Sequence, residues 1–226
     1  MCSWLPLSKD EVARALSELR QNLVKRKFSQ SIELVVKLRE VDLKKPENRI
    51  NESIPLPNPS EKAVKVCVIA SGDLGTRAKT AGADLLVSRQ ELDSLSKDKK
   101  AARKLAQEYD FFIAEAPLMP LVGRGLGSFL GPRGKMPTPV PPNAQIEQIV
   151  SGHRKMVRVR MREQQVLQCR IGTENMPDDK LAENIQMVIS RIEQKLDRGF
   201  KNIGEILIKS TMGKPVKIGI TKWTAC

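Results

Sequence analysis

Histidine and aromatic residues are nearly missing from this chain of 226 residues, which holds one His, one Tyr, two Trp and five Phe. A lone imidazole, His153, without a recognisable Cys or Ser partner, makes no nucleophile–base pair, and beside four dispersed thiols it makes no metal set. We read His153 as a linker residue. Cysteine is sparse too: Cys2, Cys67, Cys169 and Cys226 stand far apart, with no C-x-x-C pair. That spacing argues against a zinc site and suits free thiols in the reducing cytoplasm better than a disulfide frame. No apolar run approaches the roughly 20 residues that span a bilayer. Met1-Cys2-Ser3-Trp4 lacks the basic start and apolar stretch of a secretory signal. Carboxylates such as Glu115 and Glu163 could work singly, but no pair stands at a spacing suggestive of acid–base catalysis. The expectation is a binding protein with no metal, no cofactor and no membrane.

Base outweighs acid, with 39 Lys+Arg against 26 Asp+Glu, a net charge of +13 and a pI near 9.8. Such a balance predicts attraction to polyanions. The excess is concentrated: residues 153–226 carry +7 of it. The apolar fraction of 40% fills one large core or two modest ones.

Along the chain the hydropathy pattern changes character twice. Val12, Leu16, Leu19 and Leu23 fall at helical spacing after Ser8, a suitable N-cap. Ile32, Leu34, Val36 and Leu38 then alternate with polar residues as in a half-buried strand. Residues 44–61, rich in Pro and Asn, read as an extended connection. The near-continuous apolar run from Val64 to Ala70 marks a strand covered on both faces. A helix over 74–81, a strand over 84–87, a helix over 90–109 and a strand over 111–114 follow. This βαβαβ alternation predicts a small doubly wound parallel sheet. A Gly- and Pro-rich segment over 123–142 and a short helix over 144–150 close it. From Gly152 the pattern switches back: an alternating strand over 156–162, its hairpin partner over 166–171, and a long helix with Leu181, Ile185, Val188, Ile192, Leu196 and Ile203 on one stripe. The end of the chain reads as Ile206-Leu207-Ile208 and Val216, Ile218, Ile220 on two strands joined through Ser210-Thr211-Met212-Gly213-Lys214-Pro215. Neither flank closes a core alone. The fold class is therefore α/β and α+β in two domains. A discontinuous split βαβ α+β domain (1–64 and 155–226) carries an inserted Rossmann-like doubly wound domain (65–154), with a hinge at the two crossings.

The glycine motifs fail on spacing. G-x-G-x-x-G from Gly123 meets Ser128, and from Gly125 meets Leu130; Gly134-Lys135 has Phe129 and Met136 where a phosphate-binding loop needs Gly and Ser/Thr. A rigid basic loop fits better than a nucleotide site. Lys97, Lys99, Lys100, Arg103 and Lys104 favour a solvated helix face over a loose tRNA or rRNA contact. Arg158, Arg160 and Arg162 alternate, so on a strand all three share a face, which favours tracking phosphates. Phe28, among Lys25, Arg26, Lys27 and Ser31, is either a core residue entering a strand or an aromatic set against ribose or base. In the second case Lys27 would meet phosphate and Ser31 a 2′-hydroxyl. Glu33 can accept from base N–H groups, or is an exposed strand residue. The 211–213 turn offers a hydroxyl, backbone N–H groups and a thioether, chemistry that suits sugar and phosphate oxygens better than a reaction.

Several motifs together resemble the ribosomal protein L-one family, the stalk protein of the large ribosomal subunit, in its archaeal form. They are Arg26-Lys27-Phe28 with Ser31 and Glu33, Val41-Asp42-Leu43-Lys44 with Asn48-Arg49-Ile50-Asn51, and Ala81-Gly82-Ala83-Asp84. Glu108 to Ala114, Leu130-Gly131-Pro132-Arg133-Gly134-Lys135-Met136-Pro137 and Thr211-Met212-Gly213 complete the set. Lys214 departs from the archaeal pattern, in which Pro follows that Gly directly. The resemblance implies a two-domain fold, binding of large-subunit ribosomal RNA through Lys27, Phe28, Ser31, Glu33, Thr211, Met212 and Gly213, and a mobile stalk that contacts deacylated tRNA leaving the exit site. It further implies repression of translation through the protein's own mRNA, residence on the cytoplasmic ribosome, and a monomer when free. Two rivals remain: an RNA-modifying or RNA-processing enzyme with a cofactor in the inserted domain, and a DNA-binding regulator.

Overall fold

A computed structural model describes residues 8–42, 50–60, 64–161 and 163–219. The chain divides into two compact units, Met1–Lys62 with Met156–Cys226, and Ala63–Lys155. The first unit opens with α1 (Lys9–Gln21), β1 (Ser31–Leu38) and β2 (Asn51–Pro55). The second holds β3 (Val66–Ile69), α2 (Gly72–Thr80), β4 (Leu85–Val87), α3 (Arg89–Lys97), α4 (Lys99–Glu108), β5 (Phe111–Glu115), α5 (Met119–Leu130), β6 (Thr138–Val140) and α6 (Ile146–Arg154). The chain then returns to the first unit with β7 (Met156–Arg160), β8 (Val166–Thr173), α7 (Asp178–Lys195), β9 (Ile203–Ser210) and β10 (Val216–Ile218).

In the first unit Ser8 caps α1, its hydroxyl accepting from the Asp10 amide at 3.2 Å. Val12, Leu16 and Leu19 are buried, while Leu23 lies beyond the helix end. β1 buries Ile32, Leu34, Val36 and Leu38 at the centre of an antiparallel sheet ordered β10–β9–β1–β8. The α7 stripe of Leu181, Ile185, Val188 and Ile192 joins these residues in one apolar cluster; Ile203 instead opens β9. Two expectations are corrected. The stretch read as an extended connection contains β2, and β7 pairs antiparallel with β2 rather than with β8, which pairs with β1. Local pattern could not show this, because Asn51, Glu52 and Ser53 have weak strand preference and gain it from a partner about 105 positions away. Leu43, Lys44, Asn48 and Arg49 of the family motif lie outside the described residues, as do Arg162, Ile220, Cys2 and Cys226.

The second unit is a parallel sheet ordered β4–β3–β5–β6. All four residues of β3 are buried, as its continuous apolar run requires. The segment expected as a rigid loop is instead α5 followed by β6. Val122, Leu126 and Leu130, spaced four apart, form a buried helical stripe, and packing outweighs the cost of three glycines in the helix. Gly125 is needed there: a Cβ would stand 2.8 Å from the Ser96 Cβ, where α3 and α5 meet. The helix expected over 90–109 breaks at Asp98, whose carboxylate accepts from the Lys100 and Ala101 amides at 2.8 and 3.2 Å and so starts α4. Gly152 marks no boundary, since α6 continues through it to Arg154. His153 is correspondingly no linker residue. It is 7% exposed, edge-on to Phe111 with ring centroids 5.6 Å apart. Its Nδ1 donates to the Ile149 carbonyl at 2.8 Å, and its Nε2 lies 3.3 Å from Thr138 Oγ1.

Candidate nucleic-acid interface

Two segments distant in sequence meet at one end of the four-stranded sheet. Because β1 and β9 are antiparallel neighbours with Ile32 opposite Ser210, the start of β1 lies beside the turn that leaves β9. Thr211 fastens the two: its amide donates to the Ser31 carbonyl at 3.0 Å. Its hydroxyl accepts from the Ser31 amide at 3.0 Å and donates to the same carbonyl at 3.2 Å. The Thr211 hydroxyl is thus used in holding the turn, not held out for a ribose. The turn closes with the Gly213 amide on the Ser210 carbonyl at 3.1 Å. A Cβ at Gly213 would run into the hydroxyl of Ser210, which is itself buried, so a larger residue there requires that hydroxyl to turn away.

On this scaffold two large apolar side chains face water: Phe28 is 51% and Met212 64% exposed. Phe28 is therefore not a core residue. Lys25, Arg26 and Lys27 precede Phe28 and Lys214 follows the turn of Met212, all exposed, and Ser31 and Gly213 are half-buried. An exposed aromatic and a thioether accompanied by cations match the stacking-plus-phosphate chemistry of RNA binding. Val24, 63% exposed on the same loop, escaped the sequence reading because an isolated valine at a helix exit carries no signal.

Glu33 lies on the half-buried face of β1, opposite Arg170 of β8 and Lys209 of β9. Its Oε2 accepts from Gln168 Nε2 at 2.8 Å and pairs with Lys209 Nζ at 3.6 Å. The carboxylate is thus oriented by two neighbours from different strands. Gln168, Arg170 and Lys209 could not be placed beside it without the strand order. Burial, with a smaller contribution from the Glu33 charge, pushes the Cys169 thiol up to about 12.

Arg158 and Arg160 are not brought to this end. Both sit on β7, on the face opposite the fully buried Val159, in the two-stranded β2–β7 sheet. The chain passes from β7 into β8 beside Leu38, whose amide donates to the Gln165 carbonyl at 2.7 Å. Along β1 that is about 23 Å from Ser31 at the usual strand rise.

In the second unit, Gly123, Gly125 and Gly127 lie inside α5, where amides bonded within a helix cannot cradle a phosphate. The natural ligand position of such a sheet, at the carboxyl ends of β3 and β5 where the strand order reverses, is taken by the chain's own Glu115. Its Oε2 accepts from the Ser71 amide at 3.0 Å and the Ser71 hydroxyl at 2.8 Å, at the start of α2. That carboxylate, bonded at the start of the helix, repels an anion approaching it. Lys97, Lys99, Lys100, Arg103 and Lys104 are exposed on α3 and α4. Among the described residues no group of three or more His, Cys, Asp or Glu could hold a metal ion, and no helix is long and apolar enough to cross a membrane.

Residues 18–214 match the model of the Ribosomal protein L1p/L10e family. The proteins named "Large ribosomal subunit protein uL1" from Thermofilum pendens, Methanothermobacter thermautotrophicus and Pyrococcus abyssi are similar to this chain. The first is 52% identical over 195 residues, 86% of each chain. The second is 43% identical over 210 residues, 93% of this chain and 99% of that protein. The third is 43% identical over 217 residues, 96% of this chain and 99% of that protein. The match takes in both units and both halves of the exposed Phe28–Met212 surface, and on that ground the chain belongs to the Ribosomal protein L1p/L10e family.

Proposed function

We propose that this protein is a constituent of the large ribosomal subunit that binds ribosomal RNA directly through the surface made by Lys27, Phe28, Ser31, Glu33, Thr211, Met212 and Gly213. As a member of its family it is a structural protein and not an enzyme. The observation that carries the reading is the clamp of Thr211 on Ser31, which brings the segment with the exposed Phe28 and the turn with the exposed Met212 to the same end of the sheet. Phe28 stacks on an unpaired base or ribose, Met212 packs against a sugar, and the Gly213 backbone permits close approach. The rim lysines neutralise phosphates. Glu33, held by Gln168 and Lys209, supplies a fixed acceptor for a base N–H. Arg158 and Arg160 act on a separate face through charge alone.

Bound in this way, the protein builds the mobile stalk near the exit site and assists release of deacylated tRNA, for which the exposed cations of α4 supply general attraction. The same interface, presented to a similar fold in the protein's own mRNA, represses translation. One surface cannot hold both RNAs, so ribosomal RNA and mRNA compete for it. The free protein is monomeric and needs no cofactor.

The test is equilibrium binding to a stalk ribosomal RNA fragment across a salt series. Met212→Asp leaves thermal stability unchanged, because the side chain is mostly in water, and weakens binding at every salt concentration. Lys27→Ala instead flattens the dependence of log affinity on log salt by roughly 0.7–0.9 per lost phosphate contact. Binding by Met212→Asp equal to wild type would place the interface elsewhere.

A further inference from the structure

The loop that displays Phe28 has one internal tie, and that tie is a buried amide. Gln30, 2% exposed at the threshold of β1, donates from Nε2 to the Val24 carbonyl at 2.9 Å and to Glu174 Oε2 at 3.3 Å. Its backbone carbonyl accepts from the Glu174 backbone amide at 3.0 Å. Both hydrogens of the side-chain nitrogen are spent, one closing the loop from Val24 to Gln30 and one anchoring it to the turn after β8. Among the described residues no other hydrogen bond reaches the backbone from Lys25 to Ser29. That turn is secured in its own right: Arg20, near the end of α1, donates to the Glu174 carbonyl at 2.9 Å and the Met176 carbonyl at 2.5 Å, and pairs with Asp178 at 2.6 Å.

We infer that Gln30 is a positioning residue for RNA binding: by tying the Val24 carbonyl to the Glu174 turn it holds the Phe28 loop in its binding shape before RNA arrives. The inference rests on the proposed RNA-binding role of Phe28. An exposed five-residue stretch with Lys25, Arg26 and Lys27 in succession repels itself and, untied, samples many shapes that binding would have to select among. Glu174 could not make the loop tie itself, since a carboxylate cannot donate to a carbonyl. The amide is required because Val24 offers an acceptor and Glu174 another; only a side chain with two donors satisfies both.

Exchanging the two side-chain chemistries separates the loop tie from the anchor. Gln30→Met removes both bonds. Gln30→Glu combined with Glu174→Gln restores the bond between positions 30 and 174 with its polarity reversed, yet leaves the Val24 carbonyl without a donor. Binding to the stalk ribosomal RNA fragment, thermal unfolding and backbone amide relaxation of residues 25–29 are read for each. Gln30→Met is expected to bind about tenfold more weakly, with lower order parameters over residues 25–29 and an unchanged salt slope. The double variant, whose buried carboxylate at position 30 faces the Val24 carbonyl, recovers neither the affinity nor the order of the loop, and Gln30→Met loses affinity at temperatures well below its unfolding transition, an outcome a merely structural glutamine would not produce. Recovery of affinity in the double variant, or wild-type binding by Gln30→Met while Met212→Asp still weakens it, overturns the positioning role and leaves the interface standing. If Gln30→Met and Met212→Asp both bind as wild type, the interface itself is misassigned and the inference falls with it.

Discussion

Thr211→Val is the sharpest perturbation of the interface, because it removes one hydroxyl and keeps the shape of the side chain. That hydroxyl accepts from the Ser31 amide and donates to the Ser31 carbonyl, at 3.0 and 3.2 Å. The carbonyl keeps its bond from the Thr211 amide, so the group stranded by the change is the Ser31 N–H. It lies at a half-buried strand start, where water replaces part of what is lost. A neutral hydrogen bond contributes about 0.5–1.5 kcal/mol net. The loss in the first unit should therefore be about 1 kcal/mol, or about 2–4 °C in its melting temperature. Urea unfolding should show a lower midpoint at unchanged slope. The larger effect falls on RNA. With the side-chain half of its tie to β1 lost, the turn that carries Met212 is held less firmly, and the dissociation constant should rise about five- to tenfold, equivalent to about 1–1.4 kcal/mol. The salt slope should stay the same, because no cation has been removed. Thr211→Ser, which keeps the hydroxyl, should remain within about twofold of wild type. An unchanged urea midpoint with undiminished affinity would refute the argument that the Thr211 hydroxyl builds the site.

Gly125→Val should destabilise the second unit by about 1–3 kcal/mol through forced separation of α3 from α5, seen as a lower melting temperature, with RNA affinity of the first unit unaltered; unchanged melting would refute the close approach at Ser96. Burial pushes the Cys67 and Cys169 thiols up to about 12, whereas an unfolded thiol ionises near pH 8.5. Below pH 8.5 both states hold the proton and these groups add no pH dependence. Between about 8.5 and 12 only the folded state keeps it, so stability should fall by about 1.4 kcal/mol per pH unit for each thiol. Replacing Cys169 by Ala should flatten this alkaline decline for the first unit, and urea midpoints from pH 8 to 10.5 that decline just as steeply in Cys169→Ala would refute it.

Much of this protein was legible before any tertiary contact was known. Period-2 burial in β1, the 3.6-period stripes of α1 and α7, and the continuous apolar run of β3 follow from where hydrophobic side chains must point when one face, or both, is covered. Phe28 and the 211–213 turn could be singled out because an aromatic among lysines and a Thr-Met-Gly turn carry chemistry that a core does not need. Other features depended on partners far along the chain. β2 exists because β7 pairs with it, α5 because Val122 and Leu126 find a core, and the break at Asp98 because its carboxylate captures the next helix's first amides. Phe28 had two readings until its exposure decided between them. Arg158 and Arg160 share a face, as alternation requires, but strand order put that face on another sheet. The meeting of Ser31 with Thr211, 180 positions apart, is likewise a matter of antiparallel register. A linear pattern specifies which way a side chain faces within its own element; which element lies next to it is chosen by the joint burial of all of them.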